Sequence, residues 1–231
     1  MSHVIAPPPV PSVPVHAQNQ RFPVRRIYCV GRNYAAHAIE MGGTGREAPF
    51  FFMKPGDAVL PVAAGETGTL AYPSLTRDLH HEVELVVAIG QGGRDIPAAR
   101  ALEHVWGYAV GLDMTRRDLQ AEMKKAGRPW SIGKAFDGAA PIGAITPAAQ
   151  VTGIDTAAIG LTVNGQPRQA GRIDQMIWNV AEVIEHLSAA WTLAPGDLVF
   201  TGTPEGVAAV VAGDVLEANI EGLNALRVRI G

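Results

Sequence analysis

Three acidic residues, Glu82, Glu84 and Asp113, have the types and spacing expected of a divalent-metal site. Glu82 and Glu84 stand two residues apart in the run LHHEVELVVAIG. If this run is a strand, both side chains point to one face, roughly 6.6 Å apart along the strand. The apolar residues after Glu84 indicate that both faces of the strand are buried. Because buried carboxylates repel each other, a hard divalent cation would stabilise the pair.

Asp113 ends the next strand-like run, VWGYAVGLDM, directly before a predicted helix, and is a natural third ligand. We call these three side chains the carboxylate cluster. Mg²⁺ takes few carboxylates and fills its shell with water and substrate oxygens. From the residues alone two alternatives stay open: the carboxylates could be solvated or paired with arginines, or His80 and His81 could join them, which would suit Zn²⁺ or Fe²⁺ better. We expect both histidines to be structural.

The segments before the cluster contain a second candidate pair. Residues 24–31, VRRIYCVG, predict a buried strand, and residues 32–43, RNYAAHAIEMGG, predict a short helix stopped by two glycines. His37 and Glu40 lie three positions apart on that helix and therefore share a face. Cys29, the single cysteine, excludes an intramolecular disulfide and is expected to be a packed core atom.

Two further patterns predict local structure beyond the cluster. In the run TRRDLQAEMKKAG, the spacing of Thr115 and Asp118 resembles a capping box, and Gly127 marks the expected helix end. Asn164 and Gly165 lie between two strand-like runs, which is typical of a tight hairpin.

A later helix is predicted from about Asp174, with an apolar stripe made of Ile177, Val180, Ile184, Leu187 and Trp191. The rest of the chain consists mainly of strands and turns. About three helices and no regular βαβ alternation predict an α+β fold in which strands dominate.

The composition predicts one globular domain over residues 24–231, preceded by a Pro-rich N-terminal arm over residues 1–23 that is either a loose tail or a strap over a neighbour. A net charge of −3 gives no general attraction to nucleic acid or to anionic membranes. No apolar stretch reaches the ~20 residues that span a bilayer. We expect a cytoplasmic protein with a small-molecule ligand.

From about residue 24 onward the chain is similar to the fumarylacetoacetate hydrolase family. The resemblance rests on six ordered runs: CVGRNYAAHAIEMG, FFMKP, HHEVELVVAIG, GLDMTRRDLQ, RPWSIGKAFDGAAPIG and GDLVFTGTPEGV. It is strongest with the bacterial branch that hydrolyses fumarylpyruvate, and the Pro-containing arm fits that branch. The resemblance implies a mixed β-sandwich roll and a homodimer. It also implies metal-dependent hydrolysis of a 3-acylpyruvate, chiefly 3-fumarylpyruvate to fumarate and pyruvate in gentisate degradation.

The resemblance also implies roles for individual residues. The carboxylate cluster matches the Mg²⁺ site, with Mn²⁺ as the other candidate metal. His37 and Glu40 match a dyad that activates water, and Lys134 matches a lysine that faces the substrate. Lesser matches to substrate contacts are Arg117, Gln120 and Thr203.

Two more basic residues, Arg32 and Lys54, are assigned to the distal carboxylate of a dicarboxylic oxo-acid substrate on charge type alone. Two other functions remain open. One is an oxaloacetate decarboxylase or tautomerase, or a broader acylpyruvase, using the same metal. The other is a non-catalytic module that binds dicarboxylates. Nucleotide binding by the GTPEG run is set aside because the run lacks the phosphate-loop pattern.

Overall fold

A computed structural model describes residues 3–34 and 47–231. Within these residues, no helix is long and apolar enough to cross a membrane. The strands are β1 Ser12–Pro14, β2 Arg21–Pro23, β3 Arg26–Gly31, β4 Phe50–Pro55, β5 Val59–Pro61, β6 Thr67–Leu70, β7 Leu79–His80, β8 Val83–Ile89, β9 Val105–Leu112, β10 Thr115–Arg116, β11 Ala140–Ile142, β12 Thr146–Pro147, β13 Ala158–Val163, β14 Gln166–Arg172, β15 Leu198–Phe200, β16 Ala209–Val210, β17 Val215–Ile220 and β18 Leu226–Ile230.

The helices of the described chain are short. The α-helices are α1 Ala98–Ala101, α2 Arg117–Lys125, α3 Ser131–Lys134 and α4 Val180–Ala190. Single 3₁₀ turns occur at Gly56–Ala58, Leu102–His104, Ala148–Gln150, Ile154–Thr156 and Ile173–Gln175. The predicted α+β class, in which strands dominate, is confirmed.

The strands form two principal sheets. The larger sheet has the order β4-β3-β15-β8-β9-β11-β5, with β12 paired to β9, and it mixes parallel and antiparallel neighbours. The second sheet has the order β14-β13-β17-β18-β6. Two small sheets, β10-β7-β16 and β1-β2, complete the set. This mixed arrangement of facing sheets agrees with the roll that the family resemblance implies.

Strand β8 lies at the centre of the large sheet and is buried on both faces, as its sequence predicted. Leu85 and Val87 belong to the core shared with the second sheet. Val86 and Ala88 point to the opposite face and belong to a separate apolar cluster. Glu84 has the same parity as Val86, so its carboxylate projects from the opposite face, away from the inter-sheet core.

The structure excludes one of the two alternatives predicted for the N-terminal arm. Strands β1 and β2 pair as an antiparallel hairpin, with Val13 opposite Phe22. Both side chains are buried in the second apolar cluster, together with Val15. Between residues 11 and 23 the arm is therefore packed against its own chain and is not a loose tail. It covers the face of the large sheet from which Glu84 projects.

The starts of two helices also differ from the predicted positions. Thr115 lies in a short strand, and α2 begins at Arg117 without a side-chain cap. Asp118 instead accepts hydrogen bonds from the Thr76 hydroxyl (2.6 Å) and the Arg77 amide (3.1 Å). The side chain expected to cap the helix therefore binds a loop that is distant in sequence. The end of α2 near Gly127 is as expected, because this glycine has a φ of 63°.

Helix α4 begins at Val180, later than predicted, because Asn179 supplies the cap. The Asn179 side chain accepts a hydrogen bond from the Glu182 amide (3.0 Å), and the Glu182 side chain accepts one from the Asn179 amide (3.0 Å). The predicted hairpin is confirmed, since Asn164 and Gly165 both have positive φ between β13 and β14.

Candidate active site

The carboxylate cluster forms where two antiparallel strands of the large sheet meet. Glu82 precedes β8 and Asp113 follows β9, and the Asp113 amide donates to the Glu82 carbonyl at 2.8 Å. This pairing places the end of one strand opposite the start of the other. One ligand oxygen from each of Glu82, Glu84 and Asp113 lies within 4.8 Å of the other two, and all three side chains are buried. The structure therefore brings together residues that the sequence separates by about thirty positions.

Glu84 is the carboxylate that most needs a cation. It is 2% exposed, and among the described residues no lysine, arginine or histidine forms an ion pair with it. Burial raises its pKa, and the charges of Asp113 and Glu82 raise it further. One carboxylate oxygen accepts a hydrogen bond from the Gly202 amide at 2.8 Å. A divalent cation that prefers oxygen ligands fits this set of donors.

Gly202 is required for this contact because its backbone has a φ of 100°, which side-chain-bearing residues rarely adopt. A Cβ at this position would also lie 2.7 Å from the Cβ of Asn33. The chain can therefore turn here at the end of β15 and direct the Gly202 amide at Glu84.

Two cationic side chains that line the cleft contact the remaining carboxylates of the cluster. The Lys134 ammonium lies 2.8 Å from Glu82 Oε2 and 2.6 Å from Asp113 Oδ2. Arg117, in the first turn of α2, donates to Glu82 Oε1 at 2.6 Å. Part of the ion-pair alternative left open by the sequence is thus present in the structure.

Lys134 is placed at the end of α3 and is almost fully buried. Burial alone would lower the pKa of its ammonium, but the charges of Asp113 and Glu82 outweigh burial and raise that pKa. Its ammonium also lies 4.9 Å from the centroid of the Phe52 ring. Lys134 is therefore held as a cation against the cluster.

Lys54 differs from its predicted role. It is 1% exposed, and its ammonium lies 2.8 Å from Asp113 Oδ1. The same ammonium donates to the backbone carbonyls of Met114 and Lys134. Because these oxygens surround it behind Asp113 and it does not line the cleft, Lys54 is not available to a distal substrate carboxylate.

A narrow cleft opens over the cluster. It brings together most of the site residues predicted from the sequence. The lining includes the carboxylate cluster together with Arg32, Arg117, Gln120, Lys134 and Thr203. Phe50, Phe52 and Trp130 supply apolar walls that continue into an adjoining hollow beside Met53 and Arg128.

Most of the polar lining outside the cluster presents hydrogen-bond donors. Arg117 donates to Gln120 Oε1 at 2.6 Å, which leaves the amide NH₂ of Gln120 for the cleft. Arg32 follows β3 with a φ of 57°, and its buried Nε has no hydrogen-bond partner in the described part of the chain. A cleft of this kind favours a ligand rich in anionic oxygens.

The remaining predicted residues lie outside the cluster or outside the described chain. His80 contacts Asp78 Oδ1 at 2.8 Å, and His81 contacts Gln169 Oε1 at 2.9 Å. Neither histidine belongs to the metal-ligand group found in residues 3–34 and 47–231. The predicted dyad of His37 and Glu40 lies outside the described residues.

Sequence reasoning missed Gly202, Gln169 and the aromatic walls of the cleft. The Thr-Gly-Thr-Pro run was a usable signal for Gly202, because a glycine close to a proline marks a turn. Gln169 carried no such signal, since it is a polar residue in a strand that is mostly exposed.

The chain resembles a solved structure over almost its full length. It is 61% identical to fumarylpyruvate hydrolase from Pseudomonas aeruginosa, whose crystal structure contains Mn²⁺ and pyruvate. The two structures align with a TM-score of 0.97 over 99% of each chain.

Other relatives carry different names. Oxaloacetate tautomerase FAHD1 of Rattus norvegicus is 42% identical over 206 residues, covering 89% of this chain and 91% of the relative. An oxaloacetate decarboxylase of Dictyostelium discoideum is 41% identical over 200 residues, covering 87% and 90%. The model of the fumarylacetoacetate hydrolase C-terminal family matches residues 26–231. On this match, the chain belongs to the fumarylacetoacetate hydrolase family.

Proposed function

We propose that this protein is a divalent-metal-dependent hydrolase that cleaves the C3–C4 bond of a 3-acylpyruvate, with 3-fumarylpyruvate and water giving fumarate and pyruvate. The observation that carries the proposal is the buried carboxylate cluster at the base of a donor-lined cleft. The likeness to a fumarylpyruvate hydrolase that binds Mn²⁺ and pyruvate supports the same reading.

The charges of the cleft suit a dianionic substrate. The formal charges of the three carboxylates and of Lys54, Lys134 and Arg117 cancel, and a divalent cation would leave a net charge of +2. Arg32 adds a further positive charge in the wall. A substrate with one carboxylate at each end complements this field because opposite charges attract strongly where water is scarce.

The apolar walls favour an acyl chain over a short oxo-acid. Phe50, Phe52 and Trp130 line the cleft and also the hollow that adjoins it, so the space continues away from the cluster along aromatic side chains. An unsaturated four-carbon acyl group would pack against these rings, while Arg32 would meet its carboxylate.

The reaction can be assigned to residues step by step. A bound divalent cation, Mg²⁺ or Mn²⁺, would supply Lewis-acid polarisation of the 2-oxo group. His37, oriented by Glu40, would take a proton from the attacking water, as the family resemblance implies. The hydroxide adds to the C4 carbonyl, the C3–C4 bond breaks, and C3 receives a proton. Lys134 would stabilise the negative charge that develops on the pyruvate half.

A kinetic assay tests the proposal. Metal-free protein is assayed for loss of fumarylpyruvate absorbance in chelator, with added Mg²⁺ and with added Mn²⁺. We expect activity that depends on the metal and yields equal amounts of fumarate and pyruvate. The Glu84→Gln variant should lose this activity, whereas Glu217→Gln, which changes a half-exposed glutamate outside the cleft lining, should not. Full wild-type turnover in chelator would refute the metal-dependent mechanism.

Oxaloacetate tautomerase or decarboxylase is the second candidate, because relatives that are 41 to 42% identical carry those names. The same cleft would accept oxaloacetate, which is also a dianion. The two functions are separated by comparing kcat/KM for fumarylpyruvate hydrolysis with kcat/KM for enol-to-keto conversion and CO₂ release from oxaloacetate. A clear preference for oxaloacetate would replace the first assignment with the second.

We also propose that the protein is a homodimer, as the family resemblance implies. Light scattering of the purified chain measures the mass of the assembly. A monomer mass near 24.4 kDa would contradict the dimer.

A further inference from the structure

Gln169 is a buried glutamine that links the second sheet to the active-site cleft. It lies on β14, where most neighbouring side chains are exposed, yet it is only 2% exposed itself. Its side-chain amide contacts Val83 and His81 at one end and Thr203 and Pro204 at the other. His81 and Val83 flank Glu82 in the sequence, and Thr203 and Pro204 follow Gly202.

The orientation of this amide is dictated by its backbone partners. The Val83 N–H can only donate, so the end that it meets at 3.1 Å must be the carbonyl oxygen of Gln169. The Pro204 carbonyl can only accept, so the end that lies 2.9 Å away must be the NH₂ group. A flipped amide would set donor against donor and acceptor against acceptor.

This orientation determines how the Thr203 hydroxyl is used. The NH₂ group of Gln169 donates to Thr203 Oγ1 at 2.8 Å, so the hydroxyl oxygen is an acceptor in this contact. A hydroxyl group also has one proton to donate. In the described part of the chain, no acceptor takes that proton, and Thr203 is a buried residue that lines the cleft.

We propose that Gln169 is a positioning residue that makes Thr203 a hydrogen-bond donor to an anionic oxygen of the bound 2-oxo acid. This inference rests on the proposed function and assigns an additional residue to it. Without the amide NH₂ of Gln169, the Thr203 hydroxyl could rotate and direct its proton at the Pro204 carbonyl. The donor that faces the cleft would then be lost for part of the time.

A double-mutant cycle tests this coupling, with pyruvate as the binding probe for the Mn²⁺-loaded protein. We expect Thr203→Val to weaken pyruvate binding by about 10- to 100-fold, because a hydrogen bond to a charged oxygen is lost. Gln169→Leu should weaken it by about 3- to 10-fold. In the Thr203→Val background, Gln169→Leu should have less than about a twofold effect, since its target is already absent. An equal effect in both backgrounds would overturn the proposal.

Gln169→Glu provides a second variant that keeps the acceptor at Val83 and replaces the donor at Thr203 with an acceptor. The Thr203 proton should then turn toward the new carboxylate, and pyruvate binding should fall as far as in Thr203→Val. The negative charge of the new glutamate affects pyruvate binding with or without Thr203. The informative quantity is therefore the difference between the effects of Gln169→Glu in the wild-type and Thr203→Val proteins. Absence of coupling for this variant counts against the proposal.

Thr162→Val is the matched control. Thr162 lies on the same hairpin, and its buried hydroxyl has no hydrogen-bond partner in the described part of the chain. The substitution should leave pyruvate affinity and kcat/KM within about twofold of wild type. Melting temperature and Mn²⁺ affinity, measured for every variant, separate a loss of fold from a loss of the donor.

A crystal structure of the wild-type protein with Mn²⁺ and pyruvate tests the same contact without any substitution. Thr203 Oγ1 should lie within about 3 Å of a pyruvate oxygen. A separation above about 3.5 Å would overturn the proposal. If wild-type protein neither binds pyruvate nor turns over fumarylpyruvate, the proposed function has failed. An active enzyme that shows no coupling means that only the inference about Gln169 has failed.

Discussion

Replacing Glu84 with glutamine should make the metal-free protein more stable while it removes the metal site. Glu84 is buried beside two other carboxylates and has no cationic partner in the described part of the chain. At the largest separation in the cluster, 4.8 Å, two unit charges repel by about 3.5 kcal/mol at an effective dielectric constant near 20. Lys134 and the other basic side chains cancel most of this repulsion, and about 1 to 2 kcal/mol remains.

The expected gain for Glu84→Gln in chelator is therefore about 1 to 2 kcal/mol in the free energy of unfolding. For a chain of 231 residues this corresponds to a rise in melting temperature of about 2 to 8 °C. The amide oxygen can still accept the hydrogen bond from Gly202, and the new NH₂ group can donate to the neighbouring carboxylates of Glu82 and Asp113. Adding Mn²⁺ at about 100 times its Kd should stabilise wild type by about 2.7 kcal/mol and the variant by far less.

The difference between the two proteins should also depend on pH. Because burial holds the pKa of Glu84 above its usual value, the metal-free fold binds a proton there more tightly than the unfolded chain does. Stability is therefore lost as the pH rises from the usual glutamate pKa through the raised value. Glutamine does not titrate, so the advantage of the variant should grow with rising pH.

Thermal denaturation in chelator and with Mn²⁺ measures these effects. Glu217→Gln serves as the control, because Glu217 is half-exposed and its ion pair with Arg227 contributes little. Its melting temperature should stay close to that of wild type. A lower melting temperature for metal-free Glu84→Gln, or an unchanged stabilisation by Mn²⁺, would refute the reasoning.

Three further substitutions test other parts of the structure. Lys54→Met should lower the free energy of unfolding by about 3 kcal/mol in urea, because Asp113 loses a buried partner, and a loss below about 1 kcal/mol would contradict this. Arg32→Ala should raise KM for fumarylpyruvate about tenfold. Pyruvate affinity, measured by calorimetry, should stay within about twofold of wild type because pyruvate has no distal carboxylate. Equal losses for the two ligands would show that Arg32 does not bind the distal carboxylate. Asn179→Ala should cost about 1 kcal/mol by removing the cap of α4, and Asn179→Asp should retain that cap.

Local patterns predicted the elements that carry the metal ligands. The apolar run of β8 and the alternation of side chains along a strand placed Glu82 and Glu84 on one face, and β9 ended next to Asp113 as expected. Hydrophobic burial drives this arrangement, and the alternation of apolar side chains that reports it can be read from a single segment. The tight hairpin at Asn164 was predicted for a similar reason, because the turn depends on two adjacent residues.

Helix starts were less predictable because capping groups have competing partners. The spacing of Thr115 and Asp118 fitted a capping box, but Asp118 bonds to Thr76 and Arg77 from a distant loop. The spacing of residues in the sequence indicates only the local hydrogen-bond partner of a capping side chain, and it does not reveal distant partners. The packing of the N-terminal arm could not be predicted for a related reason, since its buried Val13 packs against strands that follow much later in the chain.

The sequence by itself determined the family, the strand-dominated fold and the three carboxylates, because apolar periodicity and short motifs are local properties. The tertiary structure decided which cations meet those carboxylates. Lys54 and Lys134 are both lysines near the site, yet one is enclosed behind Asp113 and the other lines the cleft. It also decided that Gln169, from the other sheet, orients toward Thr203. Such contacts depend on how separate segments pack, and no spacing along the chain encodes them.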